Sequence, residues 1–226
     1  MSKTVVITGA NRGIGFAMAN ICKQRGDIVY ALCRRSSPQL NALDVNIIEN
    51  IDIATDLGVL QTKTALKNIN IDLLINNAGI LRNESLSDFN QETIKEQFMV
   101  NALAPLTLTN ALLPNISAGS KIAFITSRMG SITDNTSGGR YGYRMSKTAL
   151  NIGAVSLAKD LNDKEITVGI YHPGYVKTDM VNQQGSTSNG DISAEVAAQR
   201  LISLMDNLTL EDSGVFKHSN GEVLPW

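Results

Sequence analysis

The amino-acid sequence predicts an α/β fold in which a parallel sheet is covered by helices on both faces. Two observations support this prediction. Short apolar runs alternate with longer amphipathic stretches along the 226 residues, and several of these runs are apolar at almost every position, as strands buried on both faces are. No internal repeat, low-complexity segment or linker interrupts the alternation, so we expect residues 1–226 to form a single domain.

Seven segments have the character of strands and five have the periodicity of helices. The predicted strands are Thr4–Thr8, Ile28–Cys33, Asn46–Ile51, Ile71–Asn76, Lys121–Thr126, Thr167–Tyr171 and Gly214–Lys217. The predicted helices are Ile14–Gln24, Leu57–Ile69, Gln91–Leu113, Arg144–Leu161 and Ala194–Leu208. Strand–helix alternation of this kind predicts right-handed crossovers between parallel strands.

Three local signals refine these elements. Only about a dozen residues, Pro38 among them, separate the second strand from the third, so we expect little helix in that crossover. Ser193 is a plausible N-cap for the last helix. Asn220-Gly221 predicts a tight turn after the last strand, because this dipeptide suits positions that need a positive φ.

Composition narrows the classes of partner and site. The formal charge is −1, from 20 basic and 21 acidic residues, and no basic block is present, so we expect no nucleic-acid partner. No apolar run approaches the roughly 20 residues of a membrane helix, and the N-terminus lacks the features of a secretory signal, so we expect a cytoplasmic protein with no membrane partner. Cys22 and Cys33 have neither CxxC spacing nor nearby histidines, which favours two reduced, buried thiols over a disulfide or a metal site.

A glycine-rich segment follows the first predicted strand and opens the first predicted helix. It consists of Gly9-Ala10-Asn11-Arg12-Gly13-Ile14-Gly15. Glycines let the backbone turn tightly and approach a phosphate closely, while a helix N-terminus presents unpaired N–H groups and the positive end of the helix dipole. The position between a strand and a helix favours a dinucleotide phosphate site over the alternative, a purely structural turn.

Further motifs follow in order along the chain. They are Asn76-Asn77-Ala78-Gly79 at the end of the fourth strand, Ser127 after the fifth, Tyr143-Arg144-Met145-Ser146-Lys147 in the next helix, and Pro173-Gly174 with Val176 and Thr178 after the sixth strand. Together with the Gly-x-x-x-Gly-x-Gly spacing of the first loop, this order resembles the short-chain dehydrogenase/reductase family. The first loop, Cys33-Arg34 and the closing segment Asn220–Trp226 are most similar to its C-factor and sniffer-type carbonyl reductases.

The resemblance implies a Rossmann-like, doubly wound parallel sheet of strand order 3-2-1-4-5-6-7 and hydride exchange with a nicotinamide cofactor. It also implies which residues contact that cofactor. They are Gly9, Asn11, Arg12, Gly13, Ile14, Gly15, Arg34, Asp52, Ile53, Asn77, Ala78, Gly79, Tyr143, Lys147, Pro173, Gly174, Val176 and Thr178. Within this set Asp52 and Ile53 would contact the adenine, although Asp52 is equally suited to be an ordinary helix N-cap.

The end of the second predicted strand indicates which nicotinamide cofactor is used. An enzyme that prefers NAD usually carries Asp or Glu there to hold the ribose hydroxyls, whereas this chain has Cys33, followed by Arg34 and Arg35. A guanidinium binds a 2′-phosphate through charge-assisted hydrogen bonds, so we predict NADP(H), with Arg12 and Arg34 as the main contacts. Surface arginines are common, so the absence of Asp or Glu at this strand end is stronger evidence for NADP(H) than the presence of either arginine.

Four polar residues make a candidate catalytic site. A free tyrosine has a pKa of about 10, but Lys147 lies one helical turn after Tyr143. Its charge, with that of the oxidised nicotinamide, would favour the phenolate and lower that pKa. Ser127 can hydrogen-bond the substrate oxygen, and in the family an asparagine matching Asn101 anchors a water in a proton relay. The simpler interpretations are an exposed helical pair for the first two, a strand-end cap for the serine and a satisfied buried amide for the asparagine. Tyr141 competes for the tyrosine role, but no lysine follows it by four positions.

These residues predict an NADP(H)-dependent oxidoreductase that interconverts a carbonyl compound and an alcohol, with Tyr143 as general acid and base. Two alternatives remain open. One is a non-catalytic NADP(H)-binding protein that signals redox state, which the C-factor resemblance suggests. The other is a sugar-nucleotide epimerase or dehydratase, which shares the YxxxK chemistry but resembles longer chains with a C-terminal substrate domain.

The substrate and the assembly are predicted in less detail. Met129, Tyr175 and Met180 flank the catalytic motifs, and their apolar character suggests a hydrophobic carbonyl substrate. The loop Val181–Ile192 is short for a lid, so we expect an open site. Many members of the family pair through the two long helices, and we expect a homodimer here. The apolar residues that spread around those helices are Leu103, Leu106, Leu108, Ile152, Val155 and Leu157.

Overall fold

A computed structural model of the chain describes residues 2–177 and 191–226. Its centre is a sheet of seven parallel strands in the predicted order, β3-β2-β1-β4-β5-β6-β7. The strands are β1 (Thr4–Thr8), β2 (Ile28–Leu32), β3 (Asn46–Ile48), β4 (Ile71–Asn76), β5 (Ile116–Ile125), β6 (Thr167–His172) and β7 (Phe216–His218). The helices are α1 (Gly13–Gln24), α2 (Pro38–Asn41), α3 (Asp56–Ala65), α4 (Gln91–Phe98), α5 (Ala104–Leu112), α6 (Tyr141–Leu161) and α7 (Ala194–Asp206).

The two faces of the sheet bury separate apolar clusters. Successive strand residues point to opposite faces, so Val6 and Leu74 join the cluster covered by α5 and α6, whereas Val5 and Ile75 join the cluster covered by α1 and α7. All four side chains are fully buried. Burial on both faces explains why these strands are continuous apolar runs in the sequence.

The two cysteines belong to the second of these clusters. Cys22 and Cys33 are free, buried thiols, as predicted. Burial raises the pKa of Cys22 to about 12 and also raises the pKa of Cys33. A thiol becomes a nucleophile only after deprotonation, so both cysteines contribute packing rather than chemistry.

The strand order creates a crevice at one edge of the sheet. After β3 the chain crosses to the other side of β1 and enters β4, so β1 lies between β2 and β4. In an open parallel sheet, a crevice forms at such a reversal, outside the carboxyl ends of the strands. The glycine segment follows β1, the Asn76–Gly79 motif ends β4 and Ser127 follows β5, so all three lie at this edge.

The long helix predicted over Gln91–Leu113 is interrupted. A π-helical turn over Met99–Leu103 separates α4 from α5. Pro105 explains the interruption, because it has no N–H to donate to the carbonyl of Asn101, four residues earlier. The N–H of Ala104 instead bonds the carbonyl five residues back. Asn101 therefore lies in an irregular turn, of a kind often found at functional sites.

Other element ends differ from the prediction by a few residues. β3 ends early because Asn50 has a φ of 61° and donates its N–H to the Arg34 carbonyl oxygen. β5 begins at Ile116, before an irregularity in its pairing with β4. α6 begins at Tyr141 rather than at Arg144. The short crossover between β2 and β3 holds only the four-residue α2, as predicted.

The predicted Asn220-Gly221 turn is present after β7, which begins two residues later than predicted. Gly221 has a φ of 96°, and its N–H bonds the His218 carbonyl oxygen at 2.8 Å. Val223 then pairs antiparallel with Lys217. The end of the chain therefore folds back along β7.

Across residues 2–177 and 191–226, no helix combines the length and the apolar character needed to span a bilayer. The same residues contain no group of three or more His, Cys, Asp or Glu side chains arranged to hold a metal ion.

Candidate active site

The glycine segment forms a tight turn between β1 and α1. Gly9 and Gly13 have φ values of 64° and 54°, which residues with a side chain rarely adopt. Gly15 lets α1 approach this turn, because a Cβ there would lie 2.3 Å from the Gly9 carbonyl oxygen. No side chain caps the N-terminus of α1, so its first N–H groups are suited to an anion such as a phosphate. The side chains that remain wholly or partly accessible are those of Asn11, Arg12 and Ile14.

Two side chains join the glycine turn to the motif after β4. Thr8 Oγ1 accepts hydrogen bonds from the N–H groups of Asn77 and Ala78, each at 3.0 Å. Asn77 Nδ2 donates to the carbonyl oxygens of Thr8 and Gly9, at 3.0 and 3.3 Å. The carboxyl ends of β1 and β4 are therefore held together, and the residues predicted to contact the cofactor lie side by side.

The carboxyl end of β2 lies against the same turn, since the Gly9 N–H bonds the Leu32 carbonyl oxygen at 2.9 Å. Cys33 is buried there, whereas Arg34 and Arg35 are exposed. Among the ion pairs of the described residues, none includes Arg34. The strand end therefore presents a guanidinium without a paired carboxylate, next to the glycine turn.

One acid near this strand end was not predicted. Glu49 follows β3, and its Oε1 accepts the Ser36 N–H at 2.5 Å. Its charge also contributes to the raised pKa of Cys33. Glu49 follows β3 and not β2 in the sequence, so only the pairing of β2 with β3 brings it near the end of β2.

Asp52 and Ile53 form the turn that precedes α3. Asp52 Oδ1 accepts the Ala54 N–H at 3.0 Å, and Ile53 is buried. The N-cap of α3 is Thr55, whose Oγ1 accepts the Gly58 N–H at 3.0 Å. The interpretation of Asp52 as a helix N-cap is therefore wrong, and its adenine contact stays a prediction.

Ser127, Tyr143 and Lys147 come together at the carboxyl end of β5, and all three are buried. The side chain of Ser127 lies close enough to that of Tyr143 to lower the pKa of the tyrosine, and Lys147 Nζ lies 5.7 Å from the centre of the tyrosine ring. Lys147 Nζ also donates to the Ile125 carbonyl oxygen at 3.0 Å. A Cβ on Gly79 would lie 3.7 Å from that Nζ, so the motif after β4 is adjacent to the lysine.

Burial disfavours the charged form of both titratable groups in this cluster. It raises the pKa of Tyr143, while the side chain of Ser127 and the positive charge of Arg140 lower it. Burial also lowers the pKa of Lys147 to about 8. The sequence predicted that Lys147 and the oxidised nicotinamide together would lower the pKa of the tyrosine, and this stays a prediction. The structure adds the charge of Arg140, which lowers the same pKa but is outweighed by burial.

Two residues near the tyrosine were not predicted. Arg140 precedes α6 and acts on Tyr143 through its charge. Glu84 is buried in the loop after β4 and accepts a hydrogen bond from the first turn of α6. Neither residue belongs to a motif, and charged residues in loops are mostly solvated, so the sequence offered no signal for either contact.

The side chain of Asn101 is fully used within the chain. Its Oδ1 accepts the Ile80 N–H at 2.8 Å, and its Nδ2 donates to the Ile80 carbonyl oxygen at 2.8 Å and to Ser146 Oγ at 3.0 Å. These bonds connect the loop after β4 to α6, one residue before Lys147. They match the interpretation as a satisfied buried amide, and the water-relay role stays a prediction.

The loop after β6 lies beside β7. Gly174 follows Pro173 and has a φ of 95°, and a Cβ there would lie 3.5 Å from His218 Nε2. Val176 is buried. Thr178 lies outside the described residues, so its cofactor contact remains a prediction.

The predicted substrate-pocket residues are described in part. Tyr175 is 37% exposed, and Met129 Sδ lies 3.8 Å from a guanidinium nitrogen of Arg140. Met180 lies outside the described residues, together with positions 181–190 of the loop that was expected to be short for a lid.

Known proteins resemble this chain along nearly its whole length. The model of the short chain dehydrogenase family matches residues 3–189. A 1-hydroxy-2-glutathionyl-2-methyl-3-butene dehydrogenase of Rhodococcus sp. (strain AD45) is 34% identical over 225 residues, which cover 99% of each chain. The C-signal protein of Myxococcus xanthus is 38% identical over 159 residues, which cover 69% of this chain and 93% of that protein.

Solved structures share the fold. The NADPH-bound carbonyl reductase from chicken fatty liver has a TM-score of 0.86 and 28% identity, covering 100% of this chain and 99% of that chain. The carbonyl reductase Sniffer of D. melanogaster has a TM-score of 0.85 and 27% identity, covering 100% of both chains. The predicted similarity to C-factor and sniffer-type carbonyl reductases is confirmed, and the chain belongs to the short chain dehydrogenase family.

Proposed function

We propose that this chain is an NADP(H)-dependent oxidoreductase that interconverts a small carbonyl compound and an alcohol, with Tyr143 as general acid and base. One observation carries the proposal. Tyr143 and Ser127 are buried close together beside Lys147, at the sheet edge that also holds the glycine turn. The tyrosine and serine can hold and protonate an oxygen, while the turn can bind the phosphates of a dinucleotide.

The residues of this chain account for the proton and the oxygen. When bound, the dinucleotide supplies the hydride, which brings an electron pair to the carbonyl carbon. Ser127 and Tyr143 donate hydrogen bonds to the oxygen that takes up the former π pair. The tyrosine proton then passes to that oxygen and completes the alcohol. The Lys147 ammonium stabilises the resulting phenolate until a proton from solvent replaces the one transferred.

The raised pKa of Tyr143 suits the reducing direction. A proton donor must hold its proton until the reaction begins, and burial keeps this hydroxyl protonated at neutral pH. The lowered pKa of Lys147, about 8, means that the ammonium is charged at neutral pH and close to its titration point. Protonation of both groups is therefore compatible with reduction between about pH 6 and 8.

The choice of NADP(H) rests on the carboxyl end of β2. Cys33 occupies the position where an NAD-preferring enzyme usually has an acid, and Arg34 is exposed without an ion pair among the described residues. We assign the 2′-phosphate to Arg12 and Arg34, with the diphosphate at the glycine turn. The NADPH bound to the chicken carbonyl reductase supports the same choice.

The non-catalytic alternative draws on the similarity to C-signal. A protein that only binds NADP(H) gains nothing from burying Ser127 and Tyr143 beside a lysine, because burying polar groups costs free energy. We therefore favour the enzyme. Turnover with a panel of carbonyl compounds distinguishes the two functions.

We further propose that two copies of the chain pair through the outer faces of α4, α5 and α6. Four apolar residues on these faces are exposed: Phe98, Leu103, Met145 and Ile152. Phe98, Met145 and Ile152 line a groove of about 500 Å³. The residues of the predicted set that instead pack against this chain's own core are Leu106, Leu108, Val155 and Leu157. The exposed apolar residues favour a second copy over solvent as their partner.

Light scattering at micromolar concentration tests the pairing. We expect twice the mass of the chain for the unmodified protein. Ile152→Glu places a charge on the exposed face and should give the monomer mass, whereas Leu60→Glu, at a comparably exposed position on α3, should not. A monomer mass for the unmodified protein would contradict the proposal.

Tyr143→Phe tests the chemistry. The change keeps the ring and its packing but removes the transferable proton, so turnover should fall by about 10²–10⁴-fold, the usual contribution of general acid catalysis. NADPH affinity, measured by fluorescence titration, should remain close to that of the parent. Tyr141→Phe is the matched control and should stay active, because the ring keeps its edge-on contact with Phe89. Normal turnover by Tyr143→Phe would disprove the proposed chemistry.

Replacing Cys33 with Asp and Arg34 with Ser tests the cofactor assignment. The double change removes a phosphate contact and adds a carboxylate, so NADPH affinity should fall by about tenfold to over a hundredfold and NADH affinity should rise. Arg35→Ser removes a neighbouring exposed charge and should have a smaller effect. The measurement is the dissociation constant of each cofactor. Equal constants for the two cofactors in the parent protein contradict the assignment.

The pH dependence of reduction should reveal Lys147. Its pKa is lowered, so it loses its charge as the pH rises through about 8, and kcat/KM, which follows groups of the free enzyme, should fall above that pH. Lys159→Ala, on the exposed end of the same helix, should leave the alkaline limb in place. A kcat/KM that stays level to pH 10 in the parent is the contrary result.

A further inference from the structure

The first turn of α6 has no N-cap of its own. Arg140 precedes the helix with a φ of 51°, and its side chain accepts no hydrogen bond from the first N–H groups. Helix N-termini leave such groups without intrahelical partners, and a buried one needs a partner from elsewhere. Here the partner is Glu84, 58 residues earlier in the chain. Its Oε2 accepts the Gly142 N–H at 3.1 Å, and its carbonyl oxygen accepts the Arg140 N–H at 2.8 Å.

Glu84 is itself held from α4. It is only 4% exposed, and its Oε1 accepts Thr93 Oγ1–H at 2.7 Å and Gln97 Nε2–H at 2.6 Å. Among the ion pairs of the described residues, none includes this carboxylate. Its charge is therefore balanced by hydrogen-bond donors and by the positive end of the α6 dipole. A buried carboxylate tolerates loss of such partners poorly, so its position is closely fixed.

Glycine at position 142 is required for this contact. A Cβ there would lie 2.4 Å from Gln97 Nε2 and 2.9 Å from the Ile94 Cα. α4 therefore packs closely against the start of α6, and the Glu84 carboxylate lies beside this contact. Gly142 immediately precedes Tyr143, so any shift at this junction moves the tyrosine.

We infer that Glu84 is a positioning residue for Tyr143. It replaces the missing N-cap of α6 and so fixes the distance between the tyrosine hydroxyl and Ser127. The inference rests on the proposed role of Tyr143 as proton donor. Glu84 does not touch the reacting atoms, and it acts through the backbone of Arg140 and Gly142.

Glu84→Ala and Glu84→Gln test the inference, with carbonyl reduction by the parent and its loss in Tyr143→Phe established first. Glu84→Ala should lower kcat by about tenfold to a hundredfold, the effect of a small misplacement of a reacting group. NADPH affinity and KM should change little, because the Glu84 carboxylate bonds α4 and α6 and not the glycine turn. Glu84→Gln keeps an oxygen that can accept the Gly142 N–H, but its amide N–H group then faces the Gln97 Nε2 donor. Its kcat should therefore lie between that of the parent and that of Glu84→Ala.

Glu92→Gln on α4 is the matched control, because it removes an exposed carboxylate and should leave kcat unchanged. Kinetics are scaled to bound NADPH, so a merely structural role would lower the melting temperature and leave kcat unchanged. If Glu84→Ala fails to fold, Glu84→Gln alone decides. A parent-like kcat in the folded variant overturns the inference, whatever its melting temperature. Normal turnover by Tyr143→Phe overturns the proposed function instead, and faster amide exchange at residues 140–143 in the Glu84 variants then still tests the capping.

Discussion

The crevice of this protein depends on the hydrogen bonds between Thr8 and Asn77. β1 and β4 are adjacent in the sheet although two strands separate them in the sequence, and the ends of parallel strands leave backbone groups without ladder partners. Thr8 Oγ1 pairs two N–H groups and Asn77 Nδ2 pairs two carbonyl oxygens. Each of these groups, if buried and unpaired, would cost about 1–3 kcal/mol. Helix α1 also packs closely against Asn77. Gly15 makes this possible, because a Cβ there would lie 2.5 Å from Asn77 Nδ2.

The catalytic cluster combines burial with incomplete pairing. Lys147 is 4% exposed, and its one hydrogen bond among the described residues goes to the Ile125 carbonyl oxygen. An ammonium has three donors, so two have no acceptor among the described residues. Burial without a neighbouring carboxylate explains why the pKa falls to about 8. Asn101 and Glu84 are the opposite case, since each side chain makes three hydrogen bonds within the chain and holds backbone in place.

The sequence allowed prediction of what depends on local spacing. Apolar runs predict the strands, and glycines predict the turn after β1. The four-residue spacing of Tyr143 and Lys147 predicts that they lie on one face of a helix. Contacts between distant segments could not be predicted: Glu84 reaches Gly142 across 58 residues. The burial that raises the pKa of Tyr143 could not be predicted either, because a sequence lists charges but not the burial that acts against them. The π turn is an intermediate case, since Pro105 signals a break in the helix but not its form.

Two amide side chains of the neighbouring helical segment hold the loop after β4. Gln97 Oε1, on α4, accepts the Arg82 N–H at 2.9 Å, and Asn101 Oδ1, in the π turn that follows α4, accepts the Ile80 N–H at 2.8 Å. The next contact along this segment is Glu84, whose carboxylate bonds both α4 and the first turn of α6. Residues 80–84 therefore connect α4 and the π turn to the start of the helix that holds Tyr143.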